Sequence, residues 1–465
     1  MKVSELKEKS ILILGLGKEG MDNFEFLKKI FPNKILGLAD QLKLKQLSKE
    51  KIERIKKGKK IRTHFGRNYL KAIPKYDVIL KTPGVPFRKV KPFLIKGQKL
   101  SSQTEIFLEN CKTKIVGVTG TKGKGTTTSL IYKIFKKSGK KTGLIGNIGN
   151  PVFSFLFPRK KYDVFVYELS SHQLQGLKIS PKISVFLNLY QAHLDHFKNF
   201  SDYKKAKQNI AIYQSRRDYF LYNKDSKFLR NLAEKTKAKK ISFSLKSKNA
   251  DCYSENGWIF YKGKKVLKEK DICLIGKFNL YNVMAAICVA KLFGISNNTI
   301  RKAVKSFKPM PHRIEFSGKF KGIEFYNDSL ATVPEATIFG IEVFQGRVQT
   351  ILLGGHDAGQ NFEKLSNTIL KNNIKNLIFF PPVGKKISKE IKKRARILKK
   401  DIKNLNFFFV NSMEQAVKIC FKKTEKGKVC LLSCAAPSFG IFKDYKERGD
   451  LFKKFVKLYG KAKSR

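Results

Sequence analysis

Three times along this chain a short apolar run stops at a turn rich in glycine or ended by a carboxylate, and a helical pattern follows. That alternation is the strongest constraint on what the chain can become. In the first stretch Ile11–Leu14 enters LGLGKEG, a helix is predicted over 19–30, and a second strand over 35–38 ends at Asp40. Gly15, Gly17 and Gly20 stand in the G-x-G-x-x-G spacing of a nucleotide-binding βαβ start, which by itself is equally a tight strand-to-helix turn. Another strand over 78–80 runs into the rigid turn TPGVP at 82–86. In the second stretch a strand over 115–119 enters GTKGKGTTT and a helix through Lys137. Strands are predicted at 142–145, Val164–Glu168, 183–189 and 219–222, then a helix over 279–292 before Pro309 and Pro311 break the pattern. The third stretch has strands at Ile323–Asn327, 350–353, 377–380 and Val429–Leu432, with helices at Pro334–Val343, 413–422 and 441–458. Strands alternating with helices predict an α/β protein with mostly parallel sheets in three domains, 1–110, 111–308 and 309–465.

The 465-residue length agrees with two to four domains. Lys and Arg outnumber Asp and Glu by 97 to 36, a formal charge of +61. The lysines run from Lys2 to Lys463 without forming one arm or stripe, so the charge reads as a solvated surface that draws anionic small molecules, and no specific nucleic-acid partner is expected. Seven cysteines without a CxxC pair read as reduced thiols of a cytoplasmic protein, with no disulfide framework or zinc knuckle. No apolar run reaches the roughly 18 residues of a membrane span, and MKVSELKEKS has no signal-peptide core, so no membrane insertion is expected.

The chemistry concentrates in the second stretch. A strand, the loop Gly120, Thr121, Lys122, Gly123, and a helix N-terminus at Lys124, Gly125, Thr126 and Thr127 make an anion nest in which backbone N–H groups and the helix dipole face a polyphosphate. Lys124 adds a point charge. Gly125 stands where a Ser or Thr usually follows that lysine, which makes Thr126 the nearest hydroxyl for a metal ion. Glu168 closes the apolar run VFVYE, a position suited to hold a metal ion directly or through water. His193, Asp195 and His196 are close enough to suggest a transition-metal site, a reading that needs further ligands in a chain with six histidines. His193 carries more interest, at the strand edge shared with Glu168 and the loop. Lys207 falls on a helix predicted over 201–211.

In order, GVTGTKGKGTT, GNIGNP, ELSSHQL, NLYQAHLDHF, YKKAK, GKFNLYN, PHRIE, NDSLAT, LLGGHD and SFGIFKDYKERG resemble the Mur ligases, the ATP-dependent amide ligases of peptidoglycan precursor synthesis. LGLGKEG, KTPGVP, ELSSHQL and SFGIFKDYKERG are similar to the members that add D-glutamate. The resemblance implies a Rossmann-like UDP-binding domain, a central P-loop-type ATPase and a Rossmann-like C-terminal domain for the incoming amino acid. It implies a monomer that joins D-glutamate to UDP-N-acetylmuramoyl-L-alanine while ATP becomes ADP and phosphate. A carboxylate is a poor acyl donor, so ATP first converts it to an acyl phosphate that the amine attacks.

By motif position, residues 120–127 are implied for the phosphates, with Lys124, His193 and Lys207 catalytic. Thr126, Glu168, His193 and Lys207 are implied at two Mg²⁺ ions, Lys207 as a carbamate formed with CO₂. Asn279, Arg313 and Asp328 are implied at the nucleotide. Gly15, Gly17, Asp40, Thr82, Pro83, Gly84, Asn147 and Ser171 go to the UDP substrate, and Thr332, Ser438 and Phe439 to D-glutamate. Two positions depart from the family's pattern: Leu330 stands where many members carry lysine, and Ala358 where a lysine meets the amino acid's side-chain carboxylate. Other readings are a Mur ligase for another amino acid, a folylpolyglutamate synthase-like ligase, whose GKGT is shared here, and a basic nucleic-acid-stimulated ATPase.

Overall fold

The structure, a computed structural model, describes residues 1–58, 60–149, 151–157, 161–192, 196–308, 310–372 and 374–462. It divides into two compact units, Met1–Cys273 with Phe278–Phe307, and Leu274–Lys277 with Lys308–Arg465.

The first unit contains two sheets. One is all parallel, ordered Ile61–Phe65, Leu36–Asp40, Ile11–Leu14, Val78–Lys81, Lys99–Ser101. Its central strands are buried and, apart from Lys81, apolar on both faces, as strands covered on both sides are. The other sheet has nine strands, and its parallel part runs Lys239–Ser244, Tyr219–Asn223, Ile183–Phe186, Lys114–Thr119, Val164–Glu168, Thr142–Gly146. An extension, Cys252–Glu255, Trp258–Tyr261 and Lys264–Lys268, finishes it, with antiparallel pairing among these three. One hydrophobic core runs from the first sheet to the second. Phe26 stacks on Phe153 at 4.2 Å, and Gln103 Nε2 donates to Asp22 and Asn23 at 2.7 and 2.8 Å.

The second unit is a six-stranded sheet ordered Glu315–Phe320, Ile323–Asn327, Val429–Leu432, Val348–Gly354, Asn376–Phe380, Asn406–Phe409, parallel except for its first hairpin. The mixed α/β architecture with mostly parallel sheets is therefore the one expected.

Some element ends differ from the sequence reading, each for a local reason. The strand expected over 183–189 ends at Phe186, because Asn188 turns its amide to the neighbouring glycine loop. The helix expected over 441–458 is Tyr445–Lys461, because the Asp444 carboxylate caps it by accepting from the Lys446 and Glu447 N–H groups. The helix expected over 201–211 is Phe200–Gln208, capped by Asn199.

Candidate functional site

The glycine loop sits where the sequence put it, between the strand Lys114–Thr119 and the helix Lys124–Lys137. Gly123 takes a left-handed φ of 83°, and a Cβ there would lie 2.3 Å from Asn282 Oδ1, so only glycine makes this turn. The loop is braced from behind. Asn188 accepts from Lys122 N and donates to Lys122 O, while the Thr121 hydroxyl donates to Tyr190 O and pairs with Tyr203 Oη at 2.9 Å. Burial pushes the Tyr203 phenol up to about 12. Thr127 donates to Asn282 Oδ1 and Thr128 to Lys124 O, so both buried hydroxyls serve the fold. Thr126, in the same first turn, is half-buried. Asn279, at the start of the helix Phe278–Leu292, accepts from Asn282 Nδ2 at 2.8 Å and so belongs to the same brace.

Two lysines converge on one carbonyl. Lys124 Nζ donates to Gly120 O at 2.9 Å and Thr121 O at 3.1 Å, and Lys207 Nζ donates to Gly120 O at 2.8 Å and Thr119 Oγ1 at 3.1 Å. Lys207 is fully buried. Burial, with the charge of Lys124 beside it, holds its amine well below the ordinary lysine range, and Glu168 pulls weakly the other way. Lys207 is thus a buried amine held against the glycine loop.

Glu168 ends the strand Val164–Glu168. Its Oε1 accepts from Asn147 Nδ2 at 3.0 Å, and its buried Oε2 has no hydrogen-bond partner among the described residues. An orphaned carboxylate oxygen is the hard donor that a Mg²⁺ ion takes. The Glu168 carboxylate therefore fits such an ion. Among the described residues no three His, Cys, Asp or Glu side chains gather as a ready-made metal cluster. His193 and Asp195 lie outside the described residues. His196 is buried, 3.4 Å from Gln175 Oε1 and stacked edge-on to His172.

Within the first unit, a cavity of about 460 Å³ opens at the carboxyl edge of the first sheet. Gly15, Gly17, Asp40, Thr82, Pro83, Gly84 and Asn147 all line it. Asp40 is held in place by accepting from Leu16 N at 2.7 Å and Leu42 N at 2.9 Å. Ser171 is buried beside the cavity, and it is Ser170 and Gln173 that line it. The sequence reading missed Glu19 here. Its Oε1 is closed off from solvent without a partner among the described residues, Gln173 donates to its Oε2 at 3.4 Å, and burial raises the carboxyl to about 7. Neighbouring Lys81 is buried too, donates to Thr82 O and Val85 O, and is lowered to about 8. Glu19 follows a G-x-G turn, and Lys81 opens KTPGVP, but neither motif marks the charged residue itself.

In the second unit Asp328 follows the strand Ile323–Asn327. Its carboxylate accepts from Ser433 Oγ at 2.8 Å and Ile314 N at 3.2 Å, and burial raises it to about 7. Arg313 is exposed nearby and offsets part of that rise. Thr332 N donates to Leu330 O, Ser438 is buried, and Phe439 is exposed with its ring 6.4 Å from His356. Lys386 pairs with Asp357, one residue from Ala358.

Residues 118–290 match the Mur ligase middle domain. Over 457 residues the chain is 34% identical to UDP-N-acetylmuramoylalanine--D-glutamate ligase of Clostridium botulinum, across 97% of each chain. The chain belongs to the Mur ligase family. This Mur ligase is also 34% identical over 460 residues to the enzyme of the same name from Caldanaerobacter subterraneus, covering 97% of the chain and 99% of the relative. Two solved structures share the fold. A pseudomurein peptide ligase type C from Methanothermus fervidus has a TM-score of 0.58 at 18% identity over 96% of the chain and all of its own. The MurF ligase from Thermotoga maritima, solved with ADP, has 0.57 at 17% over 98% of each. Among the described residues of this ligase no helix is long and apolar enough to cross a membrane.

Proposed function

We infer that this Mur ligase joins D-glutamate to UDP-N-acetylmuramoyl-L-alanine at the expense of ATP, a step of peptidoglycan precursor synthesis. The near full-length likeness to ligases of that name carries the reading, and the braced glycine loop with Lys124 and Lys207 supports its chemistry. The substrate's alanyl carboxylate attacks the γ-phosphorus and ADP leaves. The amine of D-glutamate then attacks the acyl carbon of the acyl phosphate, expels phosphate and loses a proton.

In this reading the backbone of residues 120–127 cradles the phosphates, and Lys124 swings from the Gly120 and Thr121 carbonyls onto the γ-phosphate, where negative charge moves during transfer. Asn279, Arg313 and Asp328 serve the nucleotide. Thr126, Glu168 and His193, with Lys207 as a carbamate, hold up to two Mg²⁺ ions, which supply charge neutralisation at the phosphates. Carbamate formation needs an uncharged amine, and a buried amine pressed by a second lysine is uncharged at lower pH than usual. Gly15, Gly17, Asp40, Thr82, Pro83, Gly84, Asn147 and Ser171 hold the UDP substrate, Glu19 and Gln173 joining them. Thr332, Ser438 and Phe439 meet D-glutamate, and Lys386 brings a cation to the loop in which Ala358 has none. We assign three domains, 1–110, 111–308 and 309–465, to UDP substrate, ATP and amino acid, in a cytoplasmic monomer whose charge serves no specific nucleic acid.

The test is phosphate release from ATP and Mg²⁺ with UDP-N-acetylmuramoyl-L-alanine and each amino acid in turn. Release that depends on D-glutamate is expected. Release with another amino acid renames the ligase, and stimulation by RNA without the sugar nucleotide overturns it.

A further inference from the structure

Arg448 is among the largest fully buried side chains of the described residues, and no carboxylate lies within ion-pairing distance of it among them. It stands in the first turn of the helix Tyr445–Lys461. Its guanidinium spends its donors on three chain segments: Nε on Ser329 Oγ at 3.0 Å, Nη2 on Ser329 O at 2.9 Å, Nη1 on Ala436 O at 3.1 Å and, at a longer 3.5 Å, Gly354 O. These segments leave the carboxyl ends of three adjacent parallel strands, Ile323–Asn327, Val429–Leu432 and Val348–Gly354. In an open α/β sheet that edge is where ligands bind.

The same three segments are also tied directly to one another. Ala435 N donates to Ala331 O at 3.0 Å, Gly354 N to Cys434 O at 2.8 Å, and His356 N to Pro437 O at 2.8 Å. Ser329 Oγ in turn donates to Tyr445 O at 2.8 Å, locking the helix start to the first segment. Little slack remains. A Cβ on Gly355, whose φ is 135°, would lie 2.1 Å from Pro437 O and 3.3 Å from Arg448 Nη1.

Burying a cation without a partner anion is costly, and a planar fork with five N–H donors is the side chain that can spread such a charge over several carbonyl dipoles. We propose that Arg448 is a positioning residue that clamps these three loops into one rigid edge, fixing Thr332, Ser438 and Phe439 for the incoming amino acid without touching it. The amino-acid part rests on the function proposed above; the clamp does not.

Arg448→Lys keeps the charge and loses the fork, and Arg448→Ala leaves a hole that free guanidinium ion can enter. Hydrogen exchange on the full-length variants is expected to quicken together at residues 328–332, 354–358 and 435–439, with the first unit unchanged. In kinetics, KM for D-glutamate is expected to rise about 10-fold or more, KM for ATP and for the sugar nucleotide to move less than about 3-fold, and millimolar guanidinium to restore part of the loss in Arg448→Ala. Exchange that stays unchanged, or quickens in only one loop, overturns the clamp. If Arg448→Ala fails to fold, the exchange pattern of Arg448→Lys decides alone. A proportional rise in all three KM values, with no effect of guanidinium, overturns the positioning role. Wild-type protein that turns over without D-glutamate sinks the functional reading and leaves the clamp to be judged by exchange.

Discussion

Lys207 in the first unit and Arg448 in the second are both buried cations behind loops, and the two solve the same problem in opposite ways. Lys207 lies behind the glycine loop with two oxygen acceptors and a second lysine on the same carbonyl, and its amine gives up its proton more readily. Arg448 lies behind three loops of the other sheet, and a guanidinium keeps its charge at any pH a folded protein meets. The lesson is that burial alone does not set a residue's role. A group that can shed its charge becomes available for chemistry, while one that cannot becomes a fixture that holds others.

The contrast can be broken at several points. Lys124→Ala removes the second lysine from Gly120 O, and we expect ATP turnover to fall by about 10²–10³-fold or more, with a melting temperature close to wild type. A variant that unfolds instead would make Lys124 structural, as its carbonyl contacts alone would suggest. Lys207→Ala is expected to be inactive and partly rescued by short carboxylic acids, which can stand in the carbamate's place. The sharper form crosses the two rescues: carboxylates should do nothing for Arg448→Ala, and guanidinium nothing for Lys207→Ala. If either reagent rescues both, the division of roles is wrong.

Gly123→Ala is expected to cost about 1–3 kcal/mol and to weaken nucleotide binding, since its turn is left-handed and its neighbour is 2.3 Å away. Gly17→Ala makes the contrast, because its surroundings are open to 4 Å. Its melting temperature should hold while KM for the sugar nucleotide rises. Equal destabilisation by both would mean that the two glycine turns are built alike.

A further effect is in pH. Asp328 is raised by burial to about 7 from an unfolded value near 4, so between those values the folded chain binds the extra proton. Its contribution to stability therefore falls as pH rises through that window, by at most about 1.4 kcal/mol per unit, and levels off above 7. Lys207 works the other way: its lowered amine makes stability rise with pH until the unfolded lysine also loses its proton. Thermal melts from pH 5 to 8 should show a shallower decline in Asp328→Asn than in wild type. Identical slopes would remove Asp328 from the account.

Much of this was readable beforehand, and for one reason. The strands Ile11–Leu14, Val164–Glu168 and Val429–Leu432 are apolar on both faces, and in each case a turn with a clear chemical signature follows. The extension Cys252–Lys268 was not readable, because it alternates apolar residues with Tyr, Trp and Lys on a face open to water, where composition gives no contrast. The helix Val383–Ile397 was hidden by its abundance of lysine, and the strand Asn406–Phe409 by its length of only four residues. At the site, loop residues carried spacing and could be found. Arg448 sits among Lys443, Lys446, Lys453 and Lys454 inside the motif SFGIFKDYKERG, which marks the segment but not the role, since what buries it is a long-range fit to three loops rather than a local pattern. Glu19 and Lys81 escaped notice for a similar reason: both look like surface charges until the two sheets close around them.

The order of synthesis gives the clamp a further consequence. Ser329, Gly354 and Ala436 all leave the ribosome before Arg448, so the three loops emerge without the residue that joins them. Until the helix Tyr445–Lys461 is free of the exit tunnel, the sheet edge has its strands but not its final alignment. Completion of that edge thus waits on a single side chain made after all three of the loops it joins.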